Sequence, residues 1–135
     1  MFYNFAIEVA ANTTKASPTT QHLKLTEGII TKFLIQFPVG CAGLAHCAID
    51  WEGAQLIPHT RDQSLASDGF VIPIDEEVDL GKRSHVLLAR CWNTDDTYAH
   101  TITIMVNVLR GKAAMATYRI LEGLGKFLRM VGVKV

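Results

Sequence analysis

Five histidines and three cysteines are the side chains of this 135-residue sequence best suited to hold a metal or move a proton. His22, His46, His59, His85 and His100 are scattered, and none falls in an HExxH or CxxC…H spacing. His46 and Cys47 are adjacent, so on a strand they point to opposite faces and do not share an ion. Packed or hydrogen-bonded histidines are therefore expected, with no metal site. Cys41, Cys47 and Cys91 make an odd, irregularly spaced set, unlike a disulfide framework. All three are expected to be reduced, Cys91 packing beside Trp92 as a small hydrophobe, which points to assembly inside a cell. Ser17, Ser64, Ser67 and Ser84 occupy no GxSxG context, and none of Gly40, Gly43, Gly53 and Gly69 opens a phosphate-binding helix. The expectation is a non-enzymatic protein with no catalytic residue, no cofactor and no small-molecule substrate.

Two acidic groups and one loop could bind something. Asn93, Asp95 and Asp96 offer oxygens to a hard cation but lack the glycine and distal glutamate of an EF-hand. Asx chemistry makes a hairpin turn the plainer reading. Asp75, Glu76, Glu77 and Asp79 read as a solvated edge, or as a row that meets a basic surface such as the tail of a neighbouring copy. Residues 58–69 form a long irregular stretch of the kind that often carries binding residues. His59, Arg61, Asp62 and Asp68 are its candidates for gripping a glycan or small ligand, with Trp51, Trp92, Tyr98 and His59 as stacking surfaces.

The remaining candidate is the C-terminal segment. The chain carries 13 basic and 13 acidic residues, but they are not mixed. Residues 1–109 hold seven basic against twelve acidic groups, and residues 110–135 hold six basic against Glu122 alone. Near Arg110-Gly111 the apolar period changes as well. Ile120, Leu121, Leu124, Phe127, Leu128 and Val131 form one stripe on a helix, opposite Arg119, Glu122, Lys126 and Arg129. Gly123 and Gly125 each cost such a helix about 1 kcal/mol relative to Ala, so it is expected to need its stripe docked. The stripe can cover its own domain, a neighbouring subunit or an anionic membrane surface, and the basic groups can also meet nucleic acid.

The elements that must position these residues are strands. Alternation or β-branched runs over 3–9, 22–26, 29–37, 43–51, 54–57, 70–74, 84–92 and 98–109, separated by turns, predict eight strands. No helix lies between them to make parallel crossovers, so the pairing is antiparallel. The fold expected is mainly β: an eight-stranded antiparallel sandwich of jelly-roll type over 1–109, followed by an amphipathic helix over 110–135. The opening Met1-Phe2-Tyr3-Asn4 reads as a strand and not as a signal peptide, and charges interrupt every apolar run before a membrane span.

Residues 37–44 (Phe-Pro-Val-Gly-Cys-Ala-Gly-Leu), 66–69 (Ala-Ser-Asp-Gly) and 92–97 (Trp-Asn-Thr-Asp-Asp-Thr), with the strands around them, are similar to small β-sandwich structural proteins of phage and virus-like particles. The resemblance covers 1–109 and supplies no functional residues. It implies a virion or particle component, such as a capsid, cement or spike-base subunit, located in a virion or cytoplasmic assembly. The function expected is thus a self-assembling structural subunit whose helix docks on another copy, on other particle proteins or in the particle interior. A ligand-binding module acting through 58–69, and a membrane- or nucleic-acid-associated protein acting through the tail, are the alternatives.

Overall fold

The computed structural model describes residues 1–110 and 112–132, with side chains for 1–110 and 116–132. Gly111 and Lys134, and the side chain of Lys112, lie outside the described residues.

The chain forms eight strands, β1 (Phe2–Val9), β2 (Thr19–Lys24), β3 (Ile29–Gln36), β4 (Ala45–Trp51), β5 (Ala54–Ile57), β6 (Val71–Asp79), β7 (Val86–Asn93) and β8 (His100–Leu109), and then a helix, α1 (Lys112–Met130). The strands make two antiparallel four-stranded sheets ordered β1-β8-β3-β6 and β2-β7-β4-β5. Four pairs, β1·β8, β2·β7, β3·β6 and β4·β5, nest one inside the next along the chain. The pairs β3·β8 and β4·β7 then join them into sheets.

Alternation produces the core. Ile102, Ile104, Val106 and Val108 of β8 are wholly buried, with Ile7 and Val9 of β1 and Phe33 and Ile35 of β3 on the same side. Facing them are Leu23, Leu87, Ala89, Cys91, Cys47 and Ile49 from the second sheet. The tight β4–β5 turn needs positive φ at both central residues, and Glu52 (51°) and Gly53 (80°) supply it.

Two expectations need correction. The segment 93–97 is not a hairpin turn, because β7 and β8 belong to different sheets. The buried Asn93 makes this crossing possible: its Nδ2 donates to the carbonyls of Val9 and Tyr98, and its Oδ1 accepts from the Asp95 amide. The strand expected over 70–74 does not stop there, and the acidic run that follows is a solvated edge within the strand itself. It continues β6, with Asp75, Glu77 and Asp79 exposed on alternate positions of an edge strand.

Candidate functional site

The helix α1 is the part of the molecule with the least internal partnership. Its described apolar residues stand in solvent: Ile120, Leu121, Leu124, Phe127 and Val131 are all exposed, Leu121 by 62% and Phe127 by 58%, and Leu128 is half-buried. The stripe expected from the sequence is present, but it does not cover the chain's own sandwich. The reason lies in what α1 meets. It runs beside the later part of β6, whose exposed residues Asp75, Glu77 and Asp79 are carboxylates and offer an apolar stripe nothing to pack on.

The contacts that tie α1 to the body are polar. Arg119 Nη2 lies 3.2 Å from Asp79 Oδ2, with both side chains about half exposed. Tyr118 hydrogen-bonds Glu77. Burial against the strand, that hydrogen bond, and the negative charges of Glu77, Glu122 and Asp79 push its hydroxyl up to about 12. Two further charges turn inward on the helix: Lys126 pairs with Glu122 at 3.8 Å, and Arg129 Nε donates to the Gly125 carbonyl. The acidic run thus meets the basic tail of its own chain, at two residues. Asp75 pairs instead with Lys32 at 3.5 Å.

The loop 58–69 is pinned rather than loose. Gln55 Nε2 lies within hydrogen-bonding distance of the carbonyls of Pro58, Thr60 and Gln63. Leu65 pairs with Cys47, and Ser67 Oγ donates to the Phe70 carbonyl. Of the four loop candidates, His59 and Arg61 line one cleft of about 410 Å³ together with Asp50, Gln55 and Arg90. Asp62 and Asp68 lie elsewhere. Asp62 gives its carbonyl to Lys15, and Asp68 Oδ1 accepts from the Gly40 amide. Arg90 is engaged by Asp50 through two bonds of 2.7 and 3.0 Å and reaches Gln55 at 3.2 Å.

The proposed stacking surfaces are largely occupied. Arg83 lies 4.0 Å over the Trp51 ring and is held there by Glu52, whose carboxyl falls below its usual range chiefly through that bond. His46 stacks on Trp92 at 5.4 Å while Lys15 stands 5.7 Å from the Trp92 ring centre. Burial, and then the charge of Lys15, lower the His46 pKa below 6.5. Tyr98 is exposed.

Sequence reasoning missed one buried polar cluster. Asp95 accepts from the amides of Thr97 and Tyr98 and pairs with His100 at 2.8 Å, and these bonds hold its carboxyl below the usual range. The Asx signal was legible, but the His100 partner depends on the crossing that brings β8 back beneath the loop. Among the described residues no group of three or more His, Cys, Asp or Glu side chains could hold a metal ion, and no helix is long and apolar enough to cross a membrane.

No protein-family model matches the chain, and no curated protein matches it.

Proposed function

We propose that the protein is a non-enzymatic structural subunit that self-assembles through α1, as a component of a virion or similar particle. The uncovered stripe Ile120, Leu121, Leu124, Phe127 and Val131 carries this reading. A contiguous, periodic apolar patch in solvent marks an interaction site. The occupant that fits is a second copy of the chain. Stripes from two copies bury each other, while each helix keeps its Arg119–Asp79 tie to its own β6. The nested strand pairs and the orders β1-β8-β3-β6 and β2-β7-β4-β5 support assigning the sandwich to the jelly-roll type, an architecture used by capsid proteins.

Light scattering and electron microscopy of the full-length chain and of Leu124→Glu/Phe127→Glu test it. Discrete oligomers that dissociate in the double variant are expected. A monodisperse monomer of the unaltered chain at high concentration overturns the reading. If such a monomer instead co-sediments with anionic vesicles or binds DNA in a salt-sensitive way, the stripe and its charges serve a membrane or nucleic acid.

A ligand-binding role has one observation in its favour, the cleft that brings His59 and Arg61 beside Arg90 and Gln55. Its test is glycan binding that is lost in Arg61→Ala and retained in the tail double variant.

A further inference from the structure

The three cysteines are buried and free, and the fold divides them into a pair and a single. The Cys41 thiol donates to the Ser67 carbonyl at 2.9 Å. Cys47 and Cys91 are register partners on β4 and β7, the two central strands of their sheet. Both are fully buried in the core beside Ala45, Ile49 and Ala89.

Antiparallel partners are of two kinds, those that exchange backbone hydrogen bonds and those that do not, and the kind can be read here. Cys47 exchanges two 2.9 Å backbone bonds with Leu65, on the side of β4 turned away from β7. Asn93, two residues beyond Cys91 and therefore of the same parity, exchanges two 3.0 Å bonds with Thr13, on the side of β7 turned away from β4. The cysteines thus face one another as a pair without hydrogen bonds between them. In such pairs the Cα atoms sit about 4.5 Å apart and the side chains approach most closely. Disulfides accept Cα separations of roughly 4.4–6.8 Å.

We propose that Cys47 and Cys91 form a latent cross-strand disulfide, whose state is set while the chain folds and is then sealed by the core. Cys47 and Cys91 are wholly buried in the folded core, out of reach of a disulfide in solution, and a hydrogen bond with Cys91 and that burial also hold the Cys47 thiol well above its usual value. The exposed thiols of the unfolded chain react with a low-molecular-weight disulfide such as glutathione disulfide. One cysteine thiolate attacks it and releases one glutathione, and the second cysteine attacks the mixed disulfide and releases the other. The protein S–S bond replaces the glutathione one. Two electrons pass from the cysteines to the oxidant, and the two protons end on the glutathione thiols.

The test refolds the reduced, full-length chain in glutathione disulfide and, separately, in reduced glutathione, then alkylates and maps the peptides. The oxidised arm is expected to give a 47–91 linked peptide with Cys41 alkylated, and a melting temperature higher by about 10 °C. Chain already folded in the reduced state is expected to stay reduced when the same disulfide is added. Cys91→Ala is expected to show no difference between the arms. The proposal is overturned if Cys41 takes part in the main disulfide, if folded protein from the oxidising buffer keeps both thiols, if the linked form melts lower, or if native reduced protein oxidises as fast as unfolded chain. Peptide mapping of the unaltered chain decides the question even if the variant does not fold.

Discussion

Branched and aromatic side chains meet opposite fates at the two ends of this molecule. In β8, Ile102, Ile104, Val106 and Val108 lose all contact with water, while in α1 Leu121, Leu124 and Phe127 keep half or more of theirs. Both sets follow a clean period, two in the strand and 3.6 in the helix. The difference lies in what stands opposite: a second sheet with its own inward apolar row, against an edge strand that presents Asp75, Glu77 and Asp79. Periodicity therefore reports which face of an element is apolar, and the neighbour decides whether that face is finished. The sandwich is finished within the chain, and the helix is not.

The sharpest way to break this contrast is to truncate one phenylalanine in each region. Phe33→Ala, at a wholly buried site, should lower unfolding free energy by about 3–5 kcal/mol in denaturant titrations. Phe127→Ala should change monomer stability by about 0.5 kcal/mol or less while weakening self-association. Equal losses in the two variants would mean that the stripe is covered within the monomer. Asn93→Ala comes next, because it strands the buried groups that link the sheets, and a loss of about 1–3 kcal/mol is expected by the same titration.

Acidity sharpens the comparison on the outer face of the second sheet. Burial keeps His46 neutral below 6.5, so the unfolded chain takes up that proton first. Stability should fall as pH drops from 6.5 toward the lowered folded value, and an NMR titration of the ring should find its midpoint below 6.5. A midpoint above 6.5 would contradict the stacked, partly buried geometry. A small effect is expected from Arg119→Ala. The exposed Asp79 pair should be worth less than about 1 kcal/mol, and added salt should erase it.

Much of the body could be read directly from the residues. Ala54–Ile57 falls where the sequence puts it, and the last strand alternates as expected. The limits of sequence reading appear wherever an answer depends on register. The strand expected to stop at 74, because carboxylates are poor strand formers in general, runs on through Asp79, since on an edge strand their side chains simply enter water. Arg90 joins Asp50 and Gln55 only because β7, β4 and β5 lie side by side, and nothing local announces that. The stripe of α1 was legible as a pattern. Its lack of cover was not, since that depends on which strand the helix runs beside.

The nesting of the strand pairs bears on how the chain reaches this state. β1 precedes the other strands and its hydrogen-bonding partner β8 follows them all, and only β4·β5 closes across a short turn. Contacts between such distant segments carry a large loop-closure entropy, so folding should be slow and should await the end of the strand set. Until residue 109 has emerged, the ribbon waits with open edges and its inner face wet, and it is most open to pairing with the wrong neighbour.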